Sequence, residues 1–271
     1  MFNVEIISTG SDGNCVVIDD TIMIDLGLTR KKTKELYSGE LDEIKCSIVT
    51  HKHQDHCSLP FVKHHIEQEN KLIIPNDVYQ KLVEQGKIDL DYTPNLTVLP
   101  NTPKEVITYT LDDYILTFYP QKHYDIINYA VLIERGDERL LYATDLDTLH
   151  ESDVGVGLFT IEGKFDILIL EGNFDEEWLR SYITETIETY DEYTDTSEFD
   201  TDDLSRWVRS HYAQLPKEVS APLFRAVQNM RHLSKQEARK YAKRKLKPGG
   251  VYYEVHRSSL FYSEPSQWQV V

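Results

Sequence analysis

The chain has 271 residues, 40% of them hydrophobic and 11% aromatic, which excludes a disordered or low-complexity protein and allows one large domain with insertions. Its net charge of −17 argues against a protein that coats polynucleotide without selectivity. No run of about 18 apolar residues occurs, and Met1-Phe2-Asn3-Val4-Glu5 lacks the features of an export signal. The expectation is therefore a cytoplasmic protein, of a bacterium or a phage-infected cell, with no membrane partner.

Val4 to Ser8 reads as an opening strand, followed by the glycine-rich turn Thr9-Gly10-Ser11-Asp12-Gly13-Asn14. Cys15–Ile18 and Thr21–Asp25 then form a hairpin across Asp19-Asp20. With no GxGxxG and no Walker lysine, the glycine-rich turn is expected to be a tight connection and not a phosphate cradle. Asp25 ends a strand and is expected to orient the histidine loop that follows. Cys15, Cys46 and Cys57 form no CxxC pair, which fits a reducing compartment, and Cys57 is read as a packing residue.

Thr29 to Tyr37 predicts a short basic helix, and Cys46-Ser47-Ile48-Val49-Thr50 a strand that runs into His51-Lys52-His53-Gln54-Asp55-His56. Imidazole and carboxylate are ligands for zinc and for harder ions such as manganese. At a strand end, His51 and His53 project to one side, while Asp55 and His56 turn towards a second ion. The spacing suits a site for two divalent metal ions. The plainer readings are a surface histidine loop or one structural metal.

Leu59 to Gln68 predicts a helix with His64 and His65 both on its surface, and Asn76 is expected to cap a helix reaching Glu84. Strands are predicted at 71–75, 96–99, 105–109, 114–119, 129–134, 139–144 and 165–170. His123, Asp145 and Glu171 stand at or just past strand ends, where an α/β sheet places its ligands.

The acidity is local: between Asp175 and Asp203 twelve acidic residues accompany the single Arg180. Helices are predicted at 176–187 and 201–211, making this stretch, to about residue 228, an inserted acidic cap on a single domain spanning 1–271. Further helices are expected at 221–230 and 234–246, the latter strongly basic. His232-Leu233-Ser234 opens it, where free backbone N–H groups favour an anion, so Ser234 is a candidate substrate contact. Pro248-Gly249-Gly250 is expected to stop this helix before a last strand, 251–255, that ends at His256.

Together these residues resemble the metallo-β-lactamase superfamily, whose HxHxDH signature matches His51-Lys52-His53-Gln54-Asp55-His56. Ser8 to Cys15, Ile24-Asp25-Leu26-Gly27, Glu171-Gly172-Asn173 and His232-Leu233-Ser234 resemble its YycJ (WalJ) branch, a neighbour of ribonuclease Z and of phage anti-Pycsar cyclic-nucleotide phosphodiesterases. The resemblance implies an αββα sandwich, two mixed β-sheets flanked by helices. It assigns His51, His53 and His123 to one metal and Asp55, His56 and His256 to another, with Asp145 bridging, and makes Asp55 and His232 catalytic. His256 is followed by Arg257-Ser258, where the family usually has Leu-Ser or Phe-Ser.

Such a site, loaded with two divalent ions, zinc or alternatively manganese, activates water against a phosphodiester. The expected function is hydrolysis of small cyclic nucleotides, the insertion's tyrosines and tryptophans stacking on the base, as phage anti-defence proteins do. The alternatives are a YycJ-like DNA exonuclease or RNase Z-like nuclease, or an acidic interaction or mimic protein with structural metals. β-Lactam hydrolysis is disfavoured by the missing export signal. A homodimer is expected, the acidic insertion of one copy lying on the basic helix of another.

Overall fold

The computed structural model describes residues 1–67, 70–86, 95–191 and 193–258; the expected end of the first long helix at Gln68 lies outside them. The first sheet has the strand order β1 to β6: Val4–Ser8 (β1), Cys15–Ile18 (β2), Ile22–Ile24 (β3), Cys46–Ile48 (β4), Lys71–Pro75 (β5) and Leu96–Leu99 (β6). β1, β2 and β3 are antiparallel, and β3 to β6 run parallel. The helices Arg30–Leu36 (α1), Leu59–Glu67 (α2) and Asn76–Glu84 (α3) connect its strands.

The second sheet comprises Ile107–Leu111 (β7), Tyr114–His123 (β8), Ile126–Arg135 (β9), Glu138–Ala143 (β10), Phe165–Glu171 (β11) and Leu246–Val255 (β12). Its order is β12-β11-β10-β9-β8-β7, antiparallel from β7 to β10 and parallel from β10 to β12. One apolar core, including Ile24, Ile48, Phe118, Tyr129 and Ile169, joins the two sheets. A second lies under α1 to α3 and includes Cys57, whose burial supports a packing role. A third packs Ala238, Tyr241 and Ala242 of Lys235–Lys245 (α7) onto the second sheet. The result is an α/β sandwich of two mixed sheets flanked by helices.

Between β11 and α7 stand Glu176–Tyr190 (α4), Thr201–His211 (α5) and Lys217–Asn229 (α6). Asp175 caps α4 by accepting from Trp178 N, and Asp200 with Asp203 forms a capping box at α5. Leu179, Ile183 and Ile187 recur at helical spacing and meet Leu204, Val208, Leu223 and Val227 in a core separate from the sandwich.

Four local expectations are corrected. His65 is buried, because it shares the inward face of α2 with Phe61 and Val62 at i and i+4 spacing; only His64 remains partly exposed. Asn76 is the first helical residue of α3 and Pro75 holds the cap position without a side-chain bond. His123 is the last residue of β8, paired with Ile126, and does not follow the strand. Pro248-Gly249-Gly250 lies within β12, in an irregularity between the Leu246 and Val251 pairings, and the helix has already ended at Lys245.

Candidate metal centre

The histidine loop is clamped before any ion is considered. Asp25, fully buried with φ of 63°, accepts from Thr50 N at 2.9 Å and from Thr50 Oγ1 at 2.8 Å. Its other oxygen lies 2.7 Å from His56 Nδ1 and accepts from Tyr142 Oη at 2.8 Å. This carboxylate therefore orients the histidine loop and turns His56 Nε2 towards Asp145, with Asn14 Nδ2 also 2.8 Å from that nitrogen. The chains must approach closely here: a Cβ on Gly27 would fall 1.7 Å from Asp55 O. Only glycine fits. Asn14 N completes the clamp by donating to Asp55 O at 2.6 Å.

Two ligand groups match the expected set, one of His51, His53 and His123, the other of Asp55, His56, Asp145 and His256, and a third cluster joins Glu171 and His232 to Asp145 and His256, with donor atoms in each group within 4.8 Å of one another. His51 Nε2 and His53 Nδ1 face each other at 3.1 Å. Asp145 Oδ2 lies 2.5 Å from His56 Nε2 and 3.4 Å from His51 Nε2, so it stands between the groups. His123 Nδ1 and His256 Nε2 are buried without a hydrogen bond. Imidazole nitrogens converging on carboxylate oxygens, two of them without partners, fit divalent ions of the zinc or manganese type. Burial, then His56, holds His51 well below the usual imidazole range, and burial, then His123, lowers His53. Neutral nitrogens are what a metal requires, and these two supply them; against burial, Asp145 raises His56 and carries His256 up to about 9, so an ion there would displace their protons.

A further carboxylate organises the other side. Glu171, fully buried at the end of β11, places Oε2 3.1 Å from His232 Nδ1 and 3.3 Å from His256 Nδ1. Its Oε1 accepts from Leu146 N and from Leu233 N, the latter at 3.3 Å. His232 Nδ1 is also 3.2 Å from Asp145 Oδ1. Burial would lower His232, but Glu171 and Asp145 carry it up to about 10. Burial would raise Glu171, yet His232 draws it down to about 2. In the sequence Glu171 is a polar strand end within one of the stretches that carry the family resemblance, with no ligand or orienting role assigned to it. Asp25, Tyr124, Asp145 and His256 all have φ between 50° and 65°, a region costly for such residues and characteristic of functional sites.

A family model described as "Beta-lactamase superfamily domain" matches residues 20–215. The chain belongs to the metallo-β-lactamase superfamily. No curated protein matches it. Among solved structures it is similar in fold to the metallo-β-lactamase fold protein YhfI from Bacillus subtilis, at 17% identity over 65% of this chain and 74% of that one, with a TM-score of 0.46. Human tRNase Z, short form, shares 14% identity over 67% and 82%, with a TM-score of 0.48. Zinc-bound PqqB from Methylobacterium extorquens shares 11% over 67% and 76%, with a TM-score of 0.48.

In this superfamily member the two groups open into a cavity of about 1150 Å³. Thr9 to Asp12 of the glycine-rich turn line it, and Thr9 Oγ1 accepts from His256 N at 2.7 Å, so the tight connection also positions a ligand. Tyr124 is its aromatic wall, 4.4 Å from the His123 ring, with the Arg231 guanidinium 4.7 Å from the Tyr124 ring centre. The insertion does not supply that ring. Trp178 and Tyr182 stack on each other at 5.6 Å, Trp207 stacks on His211, and none of them lines the cavity. What the insertion and its exit contribute is Arg225, Gln228, Asn229 and Arg231. Ser234 is not in the cavity either: its buried hydroxyl caps α7 by accepting from Glu237 N at 3.2 Å and reaches Glu176 at 3.4 Å. Of the N–H groups that suggested an anion site, Lys235 N donates to Phe174 O and Glu237 N to Ser234 Oγ, so the chain itself takes up both. No described helix is long and apolar enough to cross a membrane.

Proposed function

We propose that the chain is a metal-dependent phosphodiesterase acting on a small nucleotide, with 3′,5′-cyclic nucleotides as the favoured class, in the manner of the anti-Pycsar branch. The observation that carries this reading is the His232–Glu171 pair, an imidazole held beside both ligand groups at the wall of a nucleotide-sized cavity. His51, His53 and His123 would hold one divalent ion, and Asp55, His56 and His256 another, with Asp145 between them. When bound, such ions neutralise phosphate charge and make water acidic enough to attack near neutral pH.

The chain's own residues do the rest. Asp55, partly exposed, orients the attacking water and draws on its proton. As the new oxygen–phosphorus bond forms, the ester bond on the opposite side breaks. With Nδ1 engaged by Glu171, His232 has Nε2 left to protonate the departing oxygen. Arg225 and Arg231 face the phosphate, and Tyr124 offers its ring to the base.

A small substrate is favoured over a long polynucleotide because none of the basic residues of α7 lines the cavity. Lys235 pairs with Asp175 at 2.5 Å, Arg239 with Glu254 at 2.7 Å, and Lys245 donates to Ile161 O at 2.6 Å. Helix α7 thus forms no track into the site for a phosphate backbone. A full donor set in both groups also speaks against a mimic protein with structural metals.

The test is hydrolysis of cyclic mononucleotides, linear duplex DNA and transfer-RNA precursor by the zinc- or manganese-loaded protein. Cyclic nucleotides should be turned over, and His51→Ala/Asp55→Ala should lose about 10³-fold or more of that activity. Degradation of DNA alone would replace this reading with an exonuclease of the YycJ kind, and inertness to every diester would overturn it.

A further inference from the structure

The arginines around the insertion are arranged differently from its acids. Arg206 and Arg209 stand on α5, Arg225 on α6, and Arg231 just beyond α6. Arg135, Arg139, Arg239 and Arg257 each engage a carboxylate. Among the described residues Arg209, Arg225 and Arg231 have no such partner. Arg206 reaches only Asp203, at 2.9 Å, in an exposed i,i+3 pair that contributes little. Arg30, Arg180 and Arg244 likewise lack a carboxylate among the described residues, so what distinguishes Arg209, Arg225 and Arg231 is that each lines one of two neighbouring concavities.

Three of these arginines meet in a second concavity of about 670 Å³, lined by Arg206, Arg209, Arg231, Ser205 and Ser210, with Asp202 as its one carboxylate. Arg231 also lines the main cavity, so the two are neighbours on either side of that side chain. From the ligand group the path is short: the His123 ring is 4.4 Å from Tyr124, and the Arg231 guanidinium is 4.7 Å from the far partner of that pair. Planar guanidinium forks flanked by hydroxyls are a recognition surface for phosphate.

We infer that this second concavity is a phosphate subsite, taking the phosphate one nucleotide away from the scissile bond, with Tyr124 and Arg231 as the bridge. It rests on the phosphodiesterase reading and narrows it: the preferred substrate carries two phosphates, as a cyclic dinucleotide or a short single strand does. Cyclic mononucleotides occupy the metal end alone and bind more weakly.

The experiment compares wild type with Arg206→Gln/Arg209→Gln, metal-loaded and matched in melting temperature and near-ultraviolet circular dichroism. Substrates are bis(p-nitrophenyl) phosphate, which has no second phosphate, a cyclic dinucleotide and the linear dinucleotide pApA. Anisotropy of fluorescein-labelled pApA reports binding without turnover. The variant should raise KM for the two-phosphate substrates at least tenfold with kcat retained, weaken the labelled dinucleotide equally, and leave bis(p-nitrophenyl) phosphate unchanged. The cyclic and linear arms show which source of the second phosphate is preferred. Unchanged KM and binding, or an equal loss on all three substrates, overturns the subsite. If wild type cleaves no diester yet binds labelled pApA through these arginines, the phosphodiesterase reading fails and the subsite stands.

Discussion

Two regions meet at the cavity and are built on opposite terms. The sandwich delivers its ligands from strand ends, three of them held by another polar group: Asp25 holds His56, Glu171 holds His256, and Thr50 lies 3.1 Å from His51 Nδ1. The insertion delivers arginines and amides from helix faces and a helix exit, anchored by an apolar core of its own. Fixed donors suit an ion, whose geometry tolerates little error, whereas long cationic side chains suit a phosphate that arrives and leaves. On the proposed phosphodiesterase reading this is a division of labour, with chemistry on the rigid element and selection on the appended one.

That division can be broken in steps. Leu204→Ala, which empties part of the insertion's core, should cost about 3 kcal/mol. Because that core is separate from the sandwich, calorimetry should show an early partial transition while bound metal, measured by mass spectrometry, is retained. Loss of metal together with the helices would show that the two regions are one cooperative unit.

Glu171→Gln tests the rigid side. The amide keeps the shape but not the charge that orients His232 and His256. A loss of about 10- to 100-fold in metal affinity or activity is expected, the usual effect of removing a group that orients a ligand. Full activity in this variant would show that the two imidazoles are held by packing alone.

The smallest effect concerns His65, behind the first sheet. Its Nδ1 lies 3.3 Å from Ser47 Oγ, and burial, then His64, holds it down to about 4. The folded-state value is depressed below the unfolded one, near 6.5, so the unfolded chain binds the extra proton in this window and stability falls with pH. As pH falls from 7 to 6 the loss from this group should be roughly 0.7 kcal/mol, continuing towards pH 4. Urea titrations of His65→Leu should show a shallower decline over that range than wild type, and an identical decline would exclude His65 as its source.

Much of the site was legible because its ligands are contiguous. His51, His53, Asp55 and His56 need only one strand end to be brought together, and His123 and Asp145 follow strong strand patterns. The inward histidine of α2 was also within reach, since Phe61 and His65 are one helical turn apart. Glu171 was less so: a glutamate closing an apolar run resembles any polar strand terminus. It becomes a site residue because β11 pairs with β12 in a register that sets Glu171 against Val255, next to His256. The arginines were hidden for a different reason. A strongly acidic stretch reads as an acidic surface, and composition carries no information about which face of a helix turns towards the cavity.

The amino-acid sequence by itself therefore determined the fold class and, through the contiguous His51-Lys52-His53-Gln54-Asp55-His56, the family, because these follow from local periodicity and from residues close together in the chain, whereas His123, Asp145 and His256 were assigned by the resemblance. Tertiary structure alone decided that Ser234 is a helix cap, that Tyr124 and not the insertion's aromatics walls the cavity, and that unpaired arginines line its outer rim. Those outcomes depend on strand register and helix phase between segments far apart in sequence, and side-chain direction there is set by packing and not by propensity.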